Sequence, residues 1–226
     1  MARMEQLRSA ERAPDHGHGA LGRVAHSVVA ENLVSSPGVA APLGEAPSPG
    51  EPAIFFCYNT LPDPPFPMAG HIRLGVAPGA FAASGGDLLP FLEAAAGSLR
   101  AQPVPPPSSF DESYHRLQRM LRIDAVALCT RAHFVRTQGS PAAGALAANL
   151  AEGRLRPGDL DASPAAEART SAWLVDRRDV ALLATAPEGA TEAGITVSAF
   201  ERDGLIERLA GLLDAQYTWT AKAFGL

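Results

Sequence analysis

Three short apolar segments follow one another near the C-terminus, at residues 171–175, 180–186 and 194–198. Runs of this length, bounded by turn-forming residues, predict buried β-strands. Charged side chains are common at hairpin tips, so we interpret the Asp-Arg-Arg-Asp sequence at 176–179 as a structural turn and not as a catalytic carboxylate pair. Ser198 and Glu201 form a capping-box pattern for a final helix with an apolar face from Leu205 to Tyr217.

The same two patterns occur earlier in the chain. Apolar segments predict strands at residues 53–58, 71–77 and 123–129, and residues 131–137 are expected to extend the last strand or to pair back on it. Apolar stripes and capping residues predict helices at residues 19–34, 87–100, 109–122 and 140–153. About six or seven strands and about five helices favour an α/β or α+β class, with one mixed sheet covered by helices.

Composition limits the domain organisation and the partners. Hydrophobic residues make up 46% of the chain and charged residues 19%, which is typical of a folded domain. Residues 1–18 predict a disordered tail and residues 19–226 a single globular domain, with sub-lobes 19–101 and 109–226 if the proline-rich segment between them acts as a linker. The net charge of −5 and the absence of a long apolar run favour a cytoplasmic protein with no membrane partner and no direct contact with nucleic acid.

A single lysine, Lys222, is present among 19 basic side chains. It lies near the C-terminus and outside any glycine-rich loop, and no GxxxxGK[ST] motif occurs. Schiff-base chemistry with pyridoxal phosphate and a phosphate-binding loop both depend on a well-placed lysine. The sequence therefore predicts neither class of enzyme and no cofactor.

Two cysteines and two histidines are candidates for chemistry. Cys57 ends one predicted strand and His71 begins the next, so a thiol nucleophile and an imidazole base could meet at facing strand ends. The alternative is that Cys57 packs in the core as a small apolar side chain. Cys129 and His133 would complete a zinc ligand set, but positions four apart on a strand stand roughly 13 Å apart, so no metal site is predicted.

Arginines form the one local basic cluster. Arg116, Arg119 and Arg122 recur at every third position of a predicted helix, and Arg131 and Arg136 follow. Guanidinium groups in such numbers predict a site for a phosphate or carboxylate, and Arg116, Arg119 and Arg131 are the candidate ligand-binding residues. The alternative is an outer helix face whose arginines are solvated or paired.

The last sixty residues resemble a known family. The segments "AWLVDRRDVALLATAPEG", "ITVSAF" and "LIERLAGLLDAQYTW" are similar to the end of the phospholipase-D-like sensor domain of bacterial TrmB-type helix-turn-helix regulators. In that family an aspartate-containing turn joins two strands, a third strand follows, and a closing helix ends near a tryptophan. The catalytic His-x-Lys pair of phospholipase-D enzymes is absent, because His133 is followed by Phe134 and Val135. The resemblance therefore implies a sensor module without catalysis.

Three functional hypotheses follow. The first is a non-catalytic cytoplasmic sensory or regulatory module that binds a small ligand or a protein partner, with a link to transcription control. The second is a small thiol- or metal-dependent enzyme that uses Cys57 and His71. The third is a structural partner in a complex that docks through the proline-rich segments. A homodimer is compatible with each of them.

Overall fold

A computed structural model of the chain describes residues 19–34, 51–60, 69–104, 106, 121–135, 141–156 and 158–224. Its strands are β1 (Ala53–Thr60), β2 (Ala69–Arg73), β3 (Leu121–Val135), β4 (Ala166–Asp176), β5 (Ala181–Pro187) and β6 (Thr196–Ala199). Its helices are α1 (Gly19–Val34), α2 (Ala80–Ala83), α3 (Leu88–Ala101), α4 (Pro141–Ala151), α5 (Asp159–Ala162) and α6 (Gly204–Phe224), with a 3₁₀ turn at Glu192–Gly194.

The six strands form one sheet in the order β2-β1-β3-β4-β5-β6. Each of the five strand pairings is antiparallel. The prediction of one helix-covered sheet is confirmed, and α+β is the class observed. The sheet differs from the expected mixed sheet in being antiparallel throughout its described strands.

Helix α1 covers one face of the sheet. Its buried side chains Val24, Ala25, Val28 and Val29 follow the predicted apolar stripe, and they contact alternate residues of β1, β3, β4 and β5. Because successive side chains of a strand point to opposite faces, these contacts form one complete core layer. We call this side of the sheet the α1 face.

Helices α3 and α6 cover the opposite side, which we call the α3/α6 face. Phe91 and Leu92 of α3 and Leu209 and Leu212 of α6 pack with Leu128 of β3 in the second core layer. The sheet is therefore buried on both sides where these helices cross it, which explains why its central strands read as near-continuous apolar runs.

The N-terminal ends of α3 and α6 show which of the predicted capping residues begin a helix. Asp87 caps α3 as expected, since its carboxylate accepts a hydrogen bond from the amide of Leu89 at 2.9 Å. The capping box at Ser198 and Glu201 is wrong. Ser198 belongs to β6, and Asp203 caps α6 by accepting the amide of Ile206 at 3.0 Å.

The start of β3 also differs from the expectation, because Leu121 and Arg122 belong to the strand and not to the end of a helix. The predicted tail at residues 1–18 and most of the predicted helix 109–122 lie outside the described residues. Within the described part of the chain, no helix is both long enough and apolar enough to cross a bilayer.

Candidate functional site

Cys57 and His71 are directly opposite each other in the β1–β2 register. Directly opposite residues point to the same face, with Cβ atoms about 4.5–5.5 Å apart. Cys57 lies in the core layer of the α1 face and is 3% exposed. The fold thus places the predicted thiol and imidazole side by side, beneath α1.

A third residue joins this pair. The Nε2 atom of His71 lies 2.9 Å from a carboxylate oxygen of Glu31, and the ring of Phe55 meets the imidazole edge-to-face at 5.4 Å. Glu31 belongs to α1 and follows Val28 by three positions, so both side chains share one face of the helix. The sequence analysis missed Glu31, because its distance from His71 along the chain hides a contact that only the docking of α1 creates.

The thiols themselves are not activated. Burial raises the pKa of Cys57 to about 12, and burial likewise raises the pKa of Cys129 to about 12 although the charge of Arg73 opposes it. The thiolate is the nucleophilic form of cysteine, and this form is almost absent at neutral pH when the pKa is so high. Both cysteines pack as small apolar side chains of the α1-face core.

The four residues considered for zinc do not converge. Cys57 is opposite Ala125 and Cys129 is opposite Ala53, so the two thiols are separated by four strand positions. His133 lies four positions further along β3. Among the described residues, no three histidine, cysteine or acidic side chains are placed so that they could hold one metal ion.

Arg131 is bound to acidic side chains. Its Nη2 atom lies 3.3 Å from Asp161 and 3.2 Å from Glu188, while Nε2 of His133 lies 3.0 Å from the same Asp161 oxygen. These contacts connect β3 to α5 and to the end of β5. The guanidinium that was predicted to hold an acidic ligand therefore already has two carboxylate partners, and its candidate partners Arg116 and Arg119 lie outside the described residues.

A polar cluster that the sequence analysis missed lies on the α3/α6 face. Thr130, Ser171, Thr185 and Thr196 are in register on four neighbouring strands, and we call them the hydroxyl row. The hydroxyls of Thr185 and Thr196 are 3.2 Å apart. This row lies immediately beyond the apolar residues of the second core layer, where the surface of the sheet changes from apolar to polar.

Arg169 lies on the same face, two positions before Ser171. It donates through Nη1 to Thr185 at 3.4 Å and through Nη2 to Glu167 at 3.0 Å, and its Cζ atom lies 5.6 Å from the ring centre of Phe134. Two donors of this cluster, Nε of Arg169 and the hydroxyl of Ser171, are buried and have no hydrogen-bond partner among the residues that the structure describes. Buried polar atoms are nearly always paired, so these two mark an incomplete site.

The turn at residues 176–179 is structural, as predicted. Asp176 is 5% exposed, and its Oδ1 atom accepts the amides of Arg178 and Val180, each at 2.8 Å. This carboxylate closes the β4–β5 hairpin by replacing backbone acceptors that the turn lacks.

Comparisons of the chain with protein-family models, with curated proteins and with solved structures found no match. The resemblance to TrmB-type sensor domains therefore stays a prediction.

Proposed function

We propose that this chain is a non-catalytic sensory or regulatory module that binds a small ligand at Arg169 and the hydroxyl row. One observation carries the proposal: Nε of Arg169 and the hydroxyl of Ser171 belong to neighbouring residues of one sheet face, and both are buried and unpaired within the described ranges. A buried donor without a partner costs roughly 1–3 kcal/mol, and a ligand that accepts from both would remove that cost.

The position of the cluster suits binding. Its residues project from β3, β4 and β5, which are anchored on either side by core layers, so the polar groups are held by rigid elements. The site is also partly open, because the side chain of Arg169 is 25% exposed. A ligand can therefore reach the guanidinium from solvent, and bonding to the buried Nε and Ser171 hydroxyl requires neighbouring side chains to move aside.

The same cluster lacks the parts of a nucleophilic site. An active serine requires a base within hydrogen-bonding distance, and no described residue provides one for the Ser171 hydroxyl. This supports binding over catalysis. The link to transcription control, which the C-terminal resemblance implies, belongs to the same proposal.

A ligand screen tests the proposal. The wild-type protein and the Arg169→Gln variant are compared by thermal unfolding against a set of small acids, alcohols, amides and phosphates. A ligand at one hundred times its Kd adds about 2.7 kcal/mol of stability. We expect at least one compound to raise the melting temperature of the wild type but not of Arg169→Gln, with Arg23→Gln on the exposed side of α1 as the matched control. A screen in which no compound separates the two proteins would refute the proposal.

Glu31 favours one alternative, a thiol enzyme built on Cys57 and His71. The contact between His71 and Glu31 supplies the orienting group that a cysteine–histidine pair requires. Against it stand the burial of Cys57 and its pKa of about 12.

Alkylation with iodoacetamide separates the alternatives. An enzyme requires Cys57 to react in the folded protein at neutral pH, and to react more slowly in Glu31→Gln. A binding module requires Cys57 to stay unmodified until the protein unfolds. The third hypothesis, docking through the proline-rich segments, concerns residues that lie mostly outside the described ranges.

A further inference from the structure

We infer that the ligand of the Arg169 cluster carries a carboxylate group, an inference that rests on the proposed function and names its ligand class. In this cluster, the buried groups without a partner in the described part of the chain are an N–H of a guanidinium and an O–H of a serine. Both donate hydrogen bonds, and the guanidinium cannot accept one. The missing partner is therefore an acceptor, which excludes ammonium and guanidinium ligands.

The buried donors that lack a partner fit one carboxylate. A guanidinium has five N–H donors, and each Nη atom of Arg169 already makes one bond, to Thr185 or to Glu167, whereas Nε is the buried nitrogen without a partner among the described residues. Together with the Ser171 hydroxyl it provides two donors on one face, and a carboxylate presents two oxygens that accept such bonds. A phosphate has a third acceptor oxygen and a larger charge, and these two donors would leave part of both uncompensated.

Glu167 does not prevent a second carboxylate from binding to Arg169. Glu167 accepts from Nη2, whereas the open donor is Nε. The chain itself holds an arginine with two acidic partners, since Arg131 contacts both Asp161 and Glu188. The charge of Glu167 offsets part of the attraction between Arg169 and the ligand, so we expect moderate affinity. We expect this affinity to fall with increasing salt, because salt screens the remaining attraction.

The surroundings select a ligand with a small apolar body. Ala132, a small side chain, is opposite Arg169 on β3, and Phe134 presents its ring two positions further along the same face. An aromatic or short aliphatic monocarboxylate places its charged end between Arg169 and Ser171 and its apolar part near Phe134. Such a compound is the simplest that satisfies both the polar and the apolar groups.

Matched probes test the inference. Sodium benzoate and its neutral analogue benzamide are titrated into the full chain by calorimetry at low salt, with inorganic phosphate as a third probe. We expect benzoate to bind and benzamide and phosphate to bind at least tenfold more weakly. Ser171→Ala should weaken benzoate binding roughly tenfold, because one hydrogen bond to a charged group is removed. Arg169→Gln should abolish it and Arg23→Gln should leave it unchanged.

The outcomes separate this inference from the proposed function. If wild type binds benzoate and benzamide equally, or binds phosphate more tightly than benzoate, the ligand class is not a carboxylate. If that binding is also lost in Arg169→Gln, the binding site itself is kept. Equal benzoate affinity in wild type, Ser171→Ala and Arg169→Gln would overturn the inference. If the ligand screen also finds no compound whose binding depends on Arg169, the proposed function is overturned as well. Circular dichroism of each variant shows whether it is folded. Ser171→Ala removes one buried atom and is the variant that carries the test if Arg169→Gln does not fold.

Discussion

Raising the pH from 8 to 10 should destabilise this protein through its two buried thiols. The folded state holds the pKa values of Cys57 and Cys129 at about 12, against an ordinary value of 9.0. The unfolded chain therefore releases these protons near pH 9 while the folded chain keeps them, so stability is complete below pH 9 and is lost as the pH rises toward 12. Between pH 8 and pH 10 the loss is about 1.4 kcal/mol for each thiol, or about 3 kcal/mol for the pair.

Urea unfolding followed by tryptophan fluorescence, with a reducing agent present, measures this loss. The matched protein is the double variant Cys57→Ala/Cys129→Ala, in which all other titrating groups are the same. We expect its free energy of unfolding to fall about 3 kcal/mol less than that of the wild type between pH 8 and pH 10. Each single variant should show about half of the difference. Equal losses in the wild type and the double variant would show that the thiols are accessible or ionised in the folded state, and the placement of both in the α1-face core would be wrong.

Three further substitutions test the fold and the sites. Leu209→Ala should lower the free energy of unfolding by about 2–5 kcal/mol in urea titrations, because Leu209 is fully buried between α6 and the sheet. The control Val180→Ala, at an exposed position, should change it by less than about 0.5 kcal/mol. Similar losses in the two variants would contradict the assigned core. Asp176→Ala should cost about 2–4 kcal/mol by leaving two turn amides without an acceptor, and a loss no larger than that of Val180→Ala would refute this role. Arg131→Met should cost less than about 1 kcal/mol, since its ion pairs are half exposed, and it should leave benzoate binding unchanged in calorimetry; weakened binding would place the ligand at Arg131 instead.

The elements of this fold could be predicted because apolar spacing reports burial directly. The stripe from Val24 to Val29 predicted α1 and the face that it buries, and Asp87 predicted the start of α3. The start of α6 was misplaced because two capping patterns lie close together. Ser198 pairs with Leu183 and Ala199 pairs with Leu182 in the sheet, so the residue after Ser198 is also extended and cannot form the first turn of a helix, which leaves Asp203 as the cap.

The candidate sites depended on strand register, which local patterns do not specify. Thr130, Ser171 and Thr185 come from three strands, and no spacing along the chain indicates that they share one row. The proximity of Cys57 and His71 was predictable from two consecutive strands, whereas the contact with Glu31 depends on how α1 docks. The residue spacing along the chain therefore does not show which residues of distant segments lie opposite each other, and both candidate sites depend on those pairings.

The docking of α1 has a consequence for how the protein is made. This helix lies near the N-terminal end of the sequence, yet much of its apolar stripe contacts β4 and β5, which end at residue 187. A ribosome adds about 5–20 residues per second, so those strands follow α1 by roughly ten to thirty seconds. During that interval the part of the stripe that contacts β4 and β5 is uncovered and free to associate with other chains. We therefore expect slow translation between residues 35 and 165 to increase aggregation, even though the finished protein buries these side chains completely.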